Sequence, residues 1–271
     1  MKTFRVLFIG LLLIGMTAQA QKIYIRGGLG VAVSTAADFT SDINNNSSGD
    51  LIIISKKQGL GTGLPFVLAA GYRLNEHFAF ELGVDYFYGF SNKQKFESNN
   101  TATESKWNGQ MLSIVPAFVM SLPLDKFKPY ARLGLKLGVL NSMTVTHHES
   151  DNNPLPPTST VIDSKIRNYG GIAVGVQAAV GTDFKLSDLL SLFGEIQVDG
   201  ISWAPKHGKY TEYSINGVDN MGSMAVKANQ WNYVKEIDGS KTIPDDQPNE
   251  YNKVNDQFGN VALVLGVKVN L

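Results

Sequence analysis

The stretch His77–Phe90, HFAFELGVDYFYGF, puts a large apolar side chain at every second position: Phe78, Phe80, Leu82, Val84, Tyr86, Tyr88 and Phe90. Between them lie Ala79, Glu81, Gly83, Asp85, Phe87 and Gly89. A period of two marks a β-strand, whose successive side chains point to opposite faces. The composition of the second face decides the fold. A face turned to water would carry Lys, Glu and Thr; this one carries three small residues, two acids and Phe87. Such a face suits a cramped interior, with the bulky residues turned outward.

Seven further runs alternate in the same way: Lys22–Val33, Leu60–Leu74, Gln110–Leu122, Pro129–Thr146, Lys165–Leu186, Leu189–Ala204 and the closing Gly259–Leu271. In the last of them Val261, Leu263, Leu265, Val267, Val269 and Leu271 share the greasy face, and Lys268 lies opposite. The connections alternate strictly in length. Long ones span about residues 34–59, 91–108, 147–164 and 205–257; short ones are Asn75-Glu76, Pro123–Lys128 and Ser187-Asp188. Long loops on one rim and tight turns on the other predict an all-β chain. The expected architecture is an eight-stranded antiparallel transmembrane up-and-down β-barrel with long extracellular loops and short periplasmic turns. The final run is expected to pair back on Lys22–Val33, which removes the sheet edge, so that the chain stops where the barrel closes.

A soluble barrel would alternate too, with its apolar face inside. Eight strands each giving four to seven large residues would overfill an interior of that size. Aromatics also gather near run ends: Tyr72, Phe78, Tyr130 and Phe184 toward the short turns, Tyr88, Phe90 and Trp203 toward the long loops. Two such girdles are expected at membrane interfaces.

Composition bounds the chemistry. Among 271 residues, 24 basic and 24 acidic side chains cancel, which argues against a nucleic-acid partner. With no cysteine there are no disulfides, thiolate metal sites or thiol nucleophiles. Residues 1–20 read as a signal peptide: Lys2 and Arg5, then apolar Val6–Met16, then Ala18-Gln19-Ala20 as a cleavage site. The mature barrel is expected to span residues 21–271.

Leader, eight runs, loop alternation and closing strand together resemble the OmpA/OmpX-type superfamily of small outer-membrane β-barrels in Gram-negative bacteria. The resemblance covers the expected mature chain and rests on pattern rather than on a catalytic motif. It implies residence in the cell outer membrane, contact with membrane lipid and lipopolysaccharide, and insertion by the barrel assembly machinery. It also implies an aromatic last residue, where this chain has Leu271. No run or linker follows, so no peptidoglycan-binding domain is expected.

The inward positions carry Arg26, Arg73, Glu81, Asp85, Arg132, Lys136, Glu195, Asp199 and Lys268. Unpaired charges in a narrow lumen cost several kcal/mol, roughly, so these should pair. Lys268 and Arg26 are placed to meet Glu195 and Asp199, and Lys136 and Arg132 to meet Glu81 and Asp85. Such a network either plugs the barrel or gates a narrow path for ions or small solutes.

The fourth long connection carries Tyr210, Tyr213, Trp231 and Tyr233 as candidate binding aromatics for an extracellular ligand or host surface. LIIIS, Leu51–Ser55, predicts a hairpin in the first. His147 and His148 read as solvated loop residues rather than metal ligands, and no cofactor is expected. His148-Glu149-Ser150 resembles the spacing used by small lipid A hydrolases, but no orienting carboxylate can be assigned to it. GLGTG, Gly59–Gly63, lacks the Lys-Ser/Thr of a phosphate loop. The expectation is a non-enzymatic surface-interaction protein; a narrow pore is second and a lipid A-modifying enzyme third.

Overall fold

The computed structural model describes residues 22–35, 38–45, 51–98, 100–154, 157–240 and 242–271. The expected signal peptide, residues 1–20, lies outside them. Eight strands close a barrel: β1 (Ile23–Ser34), β2 (Gly63–Arg73), β3 (Phe78–Gly89), β4 (Thr101–Ser121), β5 (Phe127–Pro154), β6 (Ala173–Lys185), β7 (Leu190–Trp203) and β8 (Asn260–Asn270). Each pairs antiparallel with its neighbour in sequence. β8 closes on β1 from Tyr24↔Asn270 to Ser34↔Asn260.

The alternation sorts the two faces as the sequence predicts. Leu29, Leu68, Leu82, Met120, Leu133, Val176, Ile196 and Leu265 are exposed, while Glu81, Asp85, Gln177, Glu195 and Asp199 are buried. In water this would be an inverted protein, with its largest side chains in solvent. A belt of this kind is stable only against lipid, and the closed ladder leaves no unpaired strand edge within it. Small residues on the inner face have a steric reason. A Cβ on Gly71 would lie 2.1 Å from Cζ of Tyr24, so the Tyr24 ring occupies the space that the glycine leaves.

Two of the expected girdle aromatics turn inward. Tyr130 and Trp203 are buried in the lumen, because each shares parity with inward residues of its strand: Arg132 for Tyr130, Ile201 for Trp203. The short-turn girdle is made instead by a stacked Phe78–Phe118 pair and a Phe127–Phe184 pair, with centroids 5.5 Å and 5.3 Å apart.

Above the belt the loops are mostly sheet. β4 and β5 continue upward as a hairpin from Gly109↔Met143 to Thr101↔Asp151. Strand Pro157–Tyr169 adds to β5, strand His207–Ile215 adds to that, and strands Gln230–Val234 and Asn249–Asn252 follow. On the other side Asn92–Glu97 pairs with β4, and a hairpin of Asp38–Asn45 and Leu51–Gln58 extends the first long connection. The described residues of the third long connection, 147–154 and 157–164, are therefore a strand pair rather than an irregular loop. Polar alternating residues such as THHESD pair well in water, where neither face needs to be apolar.

The expected sixth run, Lys165–Leu186, is two strands. Gly170 and Gly171, with φ of +76° and +78°, break it between the external sheet and the barrel wall. A Cβ at Gly171 would also lie 2.5 Å from the Ala204 carbonyl oxygen. Positive φ and close approach together require glycine here. A second turn follows the same logic: Asn216-Gly217, both at positive φ, close the hairpin that pairs Ile215 with Val218.

Candidate functional site: a paired lumen beneath an external sheet

The inward charges form a continuous network in layers. In the middle layer Lys136 Nζ lies 2.5 Å from Asp199 Oδ2 and 3.5 Å from Asp85 Oδ2. Gln177 donates to Asp85 Oδ2 at 2.7 Å, and Gln197 donates to Asp199 at 3.1 Å. One layer toward the turns, Glu195 receives Arg26 at 2.6 Å, Arg132 at 2.8 Å and the Tyr130 hydroxyl at 2.8 Å. Arg132 also donates to Gln177 and Gln197, and its Nε faces Glu81 Oε2 at 3.9 Å. Glu81 accepts the Tyr24 hydroxyl at 2.7 Å.

At the turn-side mouth Lys268 pairs with Asp183 at 2.6 Å and stands 4.0 Å from the Tyr24 ring centroid. Arg73 donates to the Asn270 side-chain oxygen at 2.5 Å. The lumen therefore unites Arg26, Glu81, Asp85, Arg132, Lys136, Glu195 and Asp199 in one network. Lys268 goes to Asp183 rather than to Glu195 or Asp199, and Arg73 sits at the rim. Asp183, Gln177, Gln197, Tyr24 and Tyr130 are members that charge counting passes over. Their signal was parity: positions 177 and 183 fall in phase on β6, and 24 and 130 in phase with Arg26 and Arg132.

Little space remains. Among Tyr24, Arg26 and Glu81 the cavity holds about 10 Å³, roughly the room for one water, and a mouth of about 190 Å³ lies at the turn rim among Arg73, Lys126, Asp183, Asp188 and Asn270. The opposite end is sealed by an apolar layer of Leu60, Phe87, Met111, Trp203 and Phe258, all buried. Phe258 belongs to the end of the fourth connection and reaches down into the mouth. It stands edge-on to Phe87 and Trp203 at 6.3 Å and 6.1 Å, and Gly109 leaves room for its ring.

The four loop aromatics do not all project into solvent. Tyr213, Tyr210, Trp231 and Tyr251 form a chain of edge-to-face contacts, each 5.6 Å between centroids, and Trp231 is buried. The Tyr233 hydroxyl donates to Asn168 Oδ1 at 2.9 Å. The ring chain packs the fourth connection on itself and Tyr233 ties it to the strand before it, so these candidate binding aromatics are largely engaged with the chain's own strands. Of this cluster, Tyr251 is the exposed ring.

The two loop histidines occupy opposite faces of β5. His148 Nδ1 lies 2.6 Å from Asp163 Oδ1, both exposed. His147 Nδ1 lies 2.7 Å from Ser105 Oγ, and burial holds its basicity below the usual histidine value, with Glu149 partly opposing. A histidine whose folded pKa is depressed binds fewer protons than the unfolded chain. Its stabilising contribution is thus present above the ordinary value of 6.5 and is lost as pH falls below it. Amide protection factors in the Ser105–His147 strand pair, which normalise out the pH dependence of intrinsic exchange, are expected to fall on acidification through that range, and His147→Gln should flatten the response.

No curated protein sequence matches the chain. Among solved structures it is similar to the outer membrane protein OprG from Pseudomonas aeruginosa, at 15% identity and a TM-score of 0.41 over 92% of this chain and 95% of that one. It is similar to Neisserial surface protein A at 13% identity and a TM-score of 0.37, over 92% and 97%. The attachment invasion locus protein of Yersinia pestis matches at 10% identity and a TM-score of 0.32, over 91% and 96%. Residues 6–233 match the family described as outer membrane protein beta-barrel domain. The chain belongs to that family and is a β-barrel protein of the outer membrane.

Proposed function

We propose that this protein is a non-enzymatic, non-conducting surface scaffold, whose barrel anchors and whose external sheet makes contact with an extracellular ligand or host surface. The observation that carries this reading is the filled lumen. Side chains pair across it; a mouth of about 190 Å³ opens at the turn rim, but only about 10 Å³ stays free among Tyr24, Arg26 and Glu81, and an apolar layer covers the other end. A barrel used for passage would need an aqueous path; one used as an anchor benefits from a rigid interior. The material invested above the membrane supports the same reading: strands from every long connection extend β4 and β5 into one sheet.

The direct test is to replace residues 209–254 with a short Gly-Ser linker. Proteoliposomes carrying either form are then compared for adhesion to immobilised glycans and extracellular proteins. The native chain should adhere and the shortened one should not, with heat-modifiable gel mobility retained in both. Equal adhesion, or none by the native chain, contradicts the assignment.

A further inference from the structure

The lipid-facing wall is not uniformly bulky. Across β4, β5, β6 and β7 the ladder registers align outward residues in rows. One row reads Met120, Ala131, Val180, Ile196; the next toward the loops reads Phe118, Leu133, Ala178, Val198. Ala131 and Ala178 thus form a diagonal floor between a Phe118–Met120 ridge and an Ile196–Val198 ridge. The space between is a trough of about 410 Å³ with an almost wholly apolar lining. The row nearer the turns continues in small residues, with Thr182 between Pro129 and Gly194. Beneath it stand the Phe127–Phe184 pair and then the exposed cations Lys126 and Lys185. On β2 and β3 the wall is bulkier, with Phe66, Leu68, Phe80, Leu82 and Val84 exposed around a single Ala70.

We propose that this trough is a binding site for one acyl chain of a phospholipid in the periplasmic leaflet. Three features single out that occupant. The trough is continuous with the lipid-facing belt, so hydrocarbon already covers its rim. It runs toward the turn side, where the exposed Lys126 stands at the level of the phosphates, beside a Lys185 that Asp188 holds at 2.6 Å. A second copy is the poorer fit, because a two-fold contact centred here would set trough against trough and enclose a void. A flexible chain fills a concavity that a convex barrel cannot. The bound lipid would exchange more slowly than the annular lipids on the bulky side.

Native mass spectrometry of the chain released in mild detergent from phosphatidylethanolamine–phosphatidylglycerol vesicles tests this. Brominated acyl chains serve as the mass tag and separate phospholipid from detergent. The expected result is a protein peak carrying one tagged phospholipid. Ala178→Phe, which fills the floor, should lose that peak. Ala70→Phe, on the opposite wall between Ile25 and Leu82, should keep it. Should Ala178→Phe fail to give the heat-modifiable band, Ala131→Leu fills the same floor and should likewise lose the adduct. A native chain without the adduct, an adduct retained by the filled variants, or a native dimer that Ala178→Phe dissolves would each overturn the proposal.

Discussion

Replacing Glu195 by alanine is expected to lower the unfolding free energy of the barrel by about 3–5 kcal/mol. Its carboxylate receives Arg26 at 2.6 Å, Arg132 at 2.8 Å and the Tyr130 hydroxyl at 2.8 Å, and all four groups are buried. Without it two guanidinium groups lose their shared anion in a lumen too tight to rehydrate them. Arg132 keeps Gln177, Gln197 and a distant Glu81, and Arg26 keeps a Tyr130 contact at 3.3 Å. These remaining partners do not replace the charge. Urea unfolding in detergent, followed by the loss of the heat-modifiable band, measures the effect. Glu195→Gln keeps the shape and most of the hydrogen bonds but removes the charge, so it should fall between native and alanine. A Glu195→Ala barrel as stable as the native one would mean that the network is ornamental.

Phe258→Ala should cost about 3–5 kcal/mol, as expected for deleting a buried aromatic ring. The ring lies within the apolar layer against Phe87 and Trp203, and its backbone amide donates to the Ile201 carbonyl at 3.0 Å. The loss would be local as well as global. Without this ring the descending arm of the fourth connection keeps its backbone pairing to β7, Leu60 and Thr35 but loses its side-chain anchor in the mouth. Hydrogen exchange at Asp256–Gly259 should therefore rise more than at the centre of β7, and protease should cut this arm before any other segment near the barrel mouth. Uniform loosening of the whole barrel would contradict the role of Phe258 as a stopper.

The barrel was legible because lipid outside and a narrow lumen inside impose opposite demands on alternate residues. His77–Phe90 states both demands in fourteen positions. The lumen charges were legible for the same reason, since a charged residue in phase with glycine has no other place to go. Pairing was less so. Lys268 meets Asp183 because strand tilt and stagger bring β6 and β8 together across the mouth, and shear is not written in a single run. Tyr130 and Trp203 were misplaced because their size suggested an interface, whereas parity assigns them to the interior. The external sheet was hidden for a different reason. Above the membrane no face must be apolar, so strands such as Pro157–Tyr169 look like polar loop until pairing is seen. Gly170-Gly171 and Asn216-Gly217 mark two of its turns, and both are readable as glycine signals once a sheet is suspected.

In the proposed function the lumen is a closed plug beneath a surface-binding sheet. Planar-bilayer recording of the refolded native chain tests it most directly. A baseline free of stable unitary openings is expected, with Phe258→Ala still closed because the Lys136–Asp199 and Arg132–Glu195 layers remain below it. Stable unitary openings in the native chain, changed in size or selectivity by Glu81→Ala or Lys136→Ala, would contradict it and make the lumen a pore.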